Sequence, residues 1–252
     1  LVPLGGFAEA IEAMGHAAAL AGSDHGAGPC PDLLPPLPAA PVRTLDEAEA
    51  MALFAAAGIP VPRHATAAAE DAPIAVAEFD IPVAIKALSG NILHKAAVGG
   101  VALSVAPNTA DGAILRMRTA LAEHGHELSR VLIEEMIPDP RREIILGARR
   151  DPAMGLVMVV GDGGAEVETG RGTVQTLLLP LQDKALDAAL FDLGLADHQQ
   201  MQHAARAFAD FAVAHAATLE TAEINPLILT GAGAAIAADA VIQLRDSEGD
   251  IR

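Results

Sequence analysis

Tryptophan and tyrosine are absent from these 252 residues, cysteine occurs once, and lysine and arginine together number 16 against 33 aspartates and glutamates. The formal net charge of -17 excludes a reader of phosphate backbones, whose affinity comes from clustered Lys and Arg, so no nucleic-acid partner is expected. A single nucleotide is not excluded, because it needs only a few local cations, backbone amides and a divalent metal. The lone Cys30 can close no internal disulfide. Long apolar runs are missing too, despite a mean hydropathy of +0.35. The longest stretches free of Asp, Glu, Lys and Arg are residues 96–110 and 224–238, both broken by Gly and Pro and both short of the roughly 18 residues that span a bilayer. The start, LVPLGGFAEA, has neither the basic end nor the continuous apolar core of a signal peptide. A cytoplasmic protein is expected, with no membrane partner. It opens on Leu rather than Met, as a piece of a longer chain would.

What is present is a globular composition, 52% hydrophobic, with length enough for one large domain or two small ones. Residues 7–21 repeat apolar side chains at helical spacing. The proline-dense run from Asp24 to Arg43 forbids helix and central strand and reads as an extended linker. A boundary falls there, leaving residues 1–43 as helix and linker and 44–252 as the main domain. Thr44 with Glu47 forms a capping-box pattern before an amphipathic helix that Gly58 stops. Downstream, an edge strand over 59–66 precedes a short helix over 67–80, strands over 83–88 and 98–105, and a helix from Asn108 to Glu123. Strands are then predicted over 131–136, 142–149, 156–160 and 173–179. Helices over 183–193 and 198–216 lead to a last strand pair, 220–229 and 234–244. This order lacks the steady alternation of a doubly wound sheet and gives a two-lobed α+β plan, with lobe 1 over about 44–133 and lobe 2 over about 134–252. A cleft between lobes is where ligands lie.

The stretch PVAIKALSGNILHKAAVGGVALSV, residues 82–105, holds the sharpest signal. Lys86 interrupts an apolar strand; it either snorkels to solvent or faces an anion. Gly99 and Gly100 are either ordinary turn glycines or a backbone whose amides close over phosphates. His94 in the same turn is either a solvated loop residue or a group beside a phosphate site. Glu134 and Glu135 end an apolar strand, VLIEEM, as a solvated pair or as the edge of a nucleotide cleft. Asn225, in EINPL, and Asp239 lie 14 positions apart on two strands predicted to be adjacent. An amide oxygen and a carboxylate there suit octahedral Mg²⁺ completed by water and phosphate oxygens. No Walker A pattern, dinucleotide fingerprint or nucleophile elbow occurs.

These segments, with REIILGARRDPAMGLVMVVGDGGAEVE and the trailing AADAVIQL, resemble the ATP-grasp domain of the NDP-forming acyl-CoA synthetases. That group includes ADP-forming acetate-CoA ligase and is related to the succinyl-CoA synthetase β subunit. The resemblance covers about residues 44–244 and implies a two-lobed ATP-grasp fold holding Mg-ATP or Mg-ADP. It implies that Lys86 contacts the phosphates, that Glu134 and Glu135 form a hinge beside adenine and ribose, and that Asn225 and Asp239 bind magnesium. His94 matches the histidine of the family's ILHK motif, implicated in some members in relaying the phosphoryl group between ADP and a histidine on a CoA-ligase partner. The implied reaction interconverts acid, CoA and ATP with acyl-CoA, ADP and phosphate. The CoA-binding and CoA-ligase partner, absent from this chain, would hold CoA and the acid, residues 1–43 would be the tail of such a domain, and an oligomer is expected. Ala96 and Ala97 stand where the family has polar residues after HK. Gly172, Gln175 and Thr176 stand where it has a charged pair and an arginine. These departures raise an alternative, a catalytically silent nucleotide-sensing or scaffolding module.

Overall fold

Short strands, buried almost throughout at the sheet's centre, build the smaller of two antiparallel sheets. The computed structural model describes residues 37, 39–89, 92, 95–152, 154–164, 172–182 and 184–246. In it, β2 (His64–Ala68), β3 (Val83–Ala87), β4 (Val101–Val105) and β5 (Arg130–Glu135) pair in the order β2-β5-β3-β4. Val83, Ile85 and Ala87 of β3 join Val131 and Ile133 of β5 in one apolar core. The intervening Ala84 and Lys86 therefore turn to the opposite face, as the two-residue period of a strand demands. Two helices, α2 (Ala72–Val76) and α3 (Ala110–Glu123), cover the core. The buried stripe of α3 is Ala113, Ile114, Met117 and Leu121, the three- and four-residue spacing of one helix face. The helix predicted over 67–80 is shorter than expected because Ala67 and Ala68 pair with β5 instead.

The larger sheet runs β1-β11-β9-β6-β7-β8, with β10 paired to β9. Its strands are β1 (Val42–Thr44), β6 (Pro140–Asp151), β7 (Gly155–Asp162), β8 (Val174–Leu178), β9 (Leu219–Thr230), β10 (Ala235–Ala237) and β11 (Ala240–Arg245). Three helices, α1 (Glu47–Ala56), α4 (Ala185–Asp192) and α5 (Gln199–Ala214), share its core. Phe54 of α1 lies 5.7 Å from Phe208 and 5.0 Å from Phe211 of α5, ring centre to ring centre.

Those aromatic contacts correct the expected lobe division. Leu45, Met51, Phe54 and Ile59 belong to the larger core, so β1 and α1 pack with the second lobe and the smaller sheet begins at His64. The cap differs as well. Asp46, not Thr44, caps α1, accepting from the Glu49 amide at 2.9 Å while Glu49 accepts from the Asp46 amide at 2.8 Å. Thr44 ends β1, which pairs antiparallel with β11, so the last residues assigned to the linker are strand. The strand predicted over 234–244 is divided at Ala238 and Asp239. Opposite that break stands Pro226, which has no amide to give the ladder. The helix predicted over 7–21 and most of the linker lie outside the described residues. Among those described, no helix is long and apolar enough to cross a membrane.

Candidate functional site

Between the two sheets lies a cavity of about 1110 Å³, lined from β3 and β5 on one side and from β6, β9 and the β10–β11 break on the other. On the small-sheet face, Lys86 is opposite Leu132 and Ala84 is opposite Glu134, so Lys86 and Glu134 are diagonal neighbours within reach of each other. The Lys86 ammonium is 2.6 Å from Glu134 Oε2 and 2.7 Å from Glu47 Oε1, and it also donates to the Ala238 carbonyl. An ammonium has three protons, and here all three have protein acceptors. Exposure is 8% for Lys86 and 2% for each glutamate. Lys86 is not a snorkelling residue. The anionic partner its sequence context called for is present within the chain.

Glu47 is the centre of this network and was missed as a site residue. Its second oxygen, Oε2, lies 2.5 Å from the Lys95 ammonium. The pattern Thr44-x-x-Glu47 had assigned Glu47 to capping; with Asp46 and Glu49 doing that, its side chain is released to the interior. The signal that could have found it is periodicity. Glu47, Ala50, Met51 and Phe54 are the buried residues of α1, so a carboxylate occupies the first position of an apolar stripe. Burial opposes the charge of Glu47, but Lys86 and Lys95 outweigh it and hold its pKa below the ordinary value. Burial likewise works against the Lys86 cation, and Glu47 followed by Glu134 overcomes it, raising that pKa. Glu134 goes the other way: burial, reinforced by Glu47 against the pull of Lys86, pushes it up. Its Oε1 is buried and has no hydrogen-bond partner among the described residues.

Two expectations change at this point. Glu134 faces the lysine rather than ending the strand at the rim. Glu135 does reach the rim, where it pairs with Arg63 at 3.2 Å. Its amide donates to the Arg63 carbonyl and the Met136 amide to the Pro82 carbonyl. Met136 and Ile137, which connect the two sheets, line the cavity beside Glu135. Gly99 and Gly100 do not offer amides to a ligand: Gly99 donates to Ala96 and Gly100 to Lys95, both closing the 3₁₀ turn Lys95–Val98. What requires glycine is backbone and space. Gly99 has φ +73°, and a Cβ there would stand 2.5 Å from Ala120 Cβ. Gly99→Ala is expected to cost about 1–3 kcal/mol through a left-handed backbone and a clash, read as a lower urea midpoint at unchanged slope. His94 lies outside the described residues; Lys95, Ala96 and Ala97 of the same turn line the cavity.

Asn225 and Asp239 meet across the β10–β11 break, where the Asn225 amide donates to the Asp239 carbonyl at 3.3 Å. Both side chains line the cavity. Asn225 Oδ1 accepts from the Gly164 amide at 3.2 Å, its Nδ2 donates to Glu223 at 3.4 Å, and Asp239 Oδ1 accepts from the Ala240 amide at 2.8 Å. Burial and then the charge of Glu47 raise the Asp239 pKa to about 6, against the pull of Lys86 and Lys95. A carboxylate so disfavoured as an anion gains from a cation. Among the described residues no three His, Cys, Asp or Glu side chains converge as a metal cage. One carboxylate and one amide are nevertheless a fit for Mg²⁺, which keeps several waters and uses substrate phosphates.

A family model described as an ATP-grasp domain matches residues 38–244. The chain belongs to that family. This ATP-grasp domain is 31% identical over 216 residues to the succinate–CoA ligase [ADP-forming] β subunit of Halobacterium salinarum, covering 79% of this chain and 54% of that one. It is 33% identical over 132 residues to the acetate–CoA ligase [ADP-forming] I β subunit of Pyrococcus furiosus, covering 50% and 56%. The chain thus spans about half the length of these two relatives. Among solved structures, the dinucleotide-forming acetyl-coenzyme A synthetase 1 of Ca. Korarchaeum cryptofilum, in complex with coenzyme A and Ca-AMPCP, superimposes with a TM-score of 0.72 at 24% identity. That match covers 81% of this chain and 94% of the other. Its complex with Mg-AMPPCP gives 0.61 at 26% identity, covering 80% and 93%. The two-lobed α+β ATP-grasp fold expected from the sequence is the fold observed, and the relatives are ADP-forming CoA ligases.

Proposed function

We propose that the cavity binds Mg-ATP and Mg-ADP and that this ATP-grasp domain is the nucleotide half of an NDP-forming acyl-CoA synthetase. One observation carries the reading: Lys86 and Lys95 from one side face Asn225 and Asp239 from the other across a single space. Cations and metal-type oxygens on opposite walls are what a polyphosphate bridging two lobes needs. In this reading the lysines contact phosphate, Asn225 and Asp239 hold the metal, and Glu135 with the Met136–Ile137 connection lies along adenine and ribose. Bound Mg²⁺ supplies charge neutralisation, without which a cavity lined by six carboxylates and two ammonium groups repels phosphate. His94 relays the phosphoryl group to a histidine of a CoA-ligase partner, where CoA and the acid bind, so that acid, CoA and ATP give acyl-CoA, ADP and phosphate. Titration calorimetry with Mg-ATP and Mg-ADP tests the first step; heat without saturation for both nucleotides sinks the proposal.

The placement of Ala96 and Ala97 on the cavity wall favours a second reading, a silent nucleotide-sensing module, since neither can orient a neighbouring histidine. Labelled ATP with the partner domain separates the two. An acid-labile label lost in His94→Ala supports the enzyme, and binding with no transfer supports the module.

A further inference from the structure

We infer that Glu47 is an internal stand-in for nucleotide phosphate: a positioning residue that occupies Lys86 and Lys95 in the free protein and makes phosphate binding in this cavity depend on a divalent cation. The inference rests on the nucleotide reading given above and goes beyond it by naming what sets the metal requirement.

The geometry points to competition. Glu47 presents one oxygen to each lysine, at 2.7 and 2.5 Å. It does so from a helix anchored in the larger core, while both lysines belong to the small-sheet side. A phosphate oxygen is chemically like a glutamate oxygen, an anionic acceptor at hydrogen-bond distance from an ammonium. With all three Lys86 protons engaged by Glu47, Glu134 and Ala238, no phosphate reaches that lysine without displacing one of them. Glu134 is paired to Lys86 within one sheet and Ala238 offers only a neutral carbonyl, so Glu47 is the ligand whose charge phosphate replaces.

Displacement leaves a carboxylate with 2% exposure short of its partners, which is unfavourable unless another positive charge arrives with the phosphate. Asp239 is placed to receive one. It lines the same cavity and is close enough to Glu47 for the two charges to repel, so a cation held at Asp239 relieves both. A metal-free nucleotide brings no such compensation. Glu47 thus penalises bare phosphate more than metal-bound phosphate.

Glu47→Gln keeps the shape and removes the charge. Calorimetry with ADP in excess chelator, beside the same titration with Mg²⁺, is expected to show metal-free ADP binding at least about tenfold tighter than in wild type. Mg-ADP affinity changes by less, so the ratio of the two dissociation constants narrows. Glu47→Asp, whose shorter arm reaches only one of the lysines, is expected to move the ratio in the same direction by about threefold, and it tests the idea should the glutamine variant fail to fold. A purely structural Glu47 would weaken both titrations in parallel; an unmoved ratio in whichever variant folds overturns the inference alone. A wild type that binds no Mg-ADP overturns the nucleotide reading, and this inference with it.

Discussion

Lys86→Met is expected to lower the unfolding free energy by about 3–5 kcal/mol at pH 7, the range seen when one partner of a buried ion pair is removed. The size follows from what stays behind. Glu47 and Glu134, each 2% exposed, would be left with Lys95 beside Glu47, and Glu134 Oε1, without a partner among the described residues, would be joined by Glu134 Oε2 and Glu47 Oε1, which both lose the ammonium. The penalty is pH-dependent. Because Glu47 has its folded pKa below the ordinary value of 4.5, the stability it contributes is present above pH 4.5 and lost as pH falls through the folded pKa. The gap between variant and wild type is therefore widest near neutrality and closes below about pH 4.5, as the abandoned carboxylates take up protons. Urea unfolding across that range measures it, and a gap constant with pH would contradict a charge-based origin. Where the variant is folded, Mg-ATP binding is expected to weaken by at least about thirtyfold. Loss of affinity without loss of stability would show that Lys86 meets phosphate but not the two glutamates.

The sequence carried the strands and the ends of this network better than its middle. Lys86 was legible because a charge inside VAIKA conflicts with a period that otherwise buries every residue of β3. Asn225 and Asp239 were legible because two strands joined by a short turn bring such positions together, as the Asn225–Asp239 backbone bond shows. Glu47 was not, because LDEAEA offers two glutamates to a capping box and the pattern Thr44-x-x-Glu47 satisfies the capping rule as well as Asp46-x-x-Glu49 does; only the choice of cap decides which glutamate turns inward. The Gly-Gly turn failed for a related reason. Glycine signals backbone freedom or close approach, and sequence cannot say whether the neighbour is a ligand or, as here, Ala120 and the Lys95 carbonyl. Residues 44–59, expected in lobe 1, pack instead in the larger core, because an amphipathic helix announces that it has an apolar face without naming the core that accepts it.

Asp239→Asn is expected to do two things that rarely go together: raise stability and abolish the metal dependence of nucleotide binding. The Asp239 pKa is raised from 3.8 to about 6, so the folded state holds that proton more tightly than the unfolded chain does. The sign is opposite to that of Glu47. Above pH 6 the ionised side chain is a burden on the folded state; the burden lifts as pH falls from about 6 towards 3.8, and below that it is gone. Replacing the carboxylate by an amide removes it, for a gain of about 1–3 kcal/mol at pH 8 and none near pH 4, read as a rise in thermal midpoint at the higher pH alone. In the proposed site the metal would at the same time lose the one carboxylate assigned to hold it, and Mg²⁺ is expected no longer to tighten ADP binding in the variant. A carboxylate retained for structure should cost stability when it is removed. If Asp239→Asn is less stable than wild type at pH 8, the residue belongs to the scaffold; if it is more stable and indifferent to Mg²⁺, its charge is held in place at the expense of the fold because the ligand requires it.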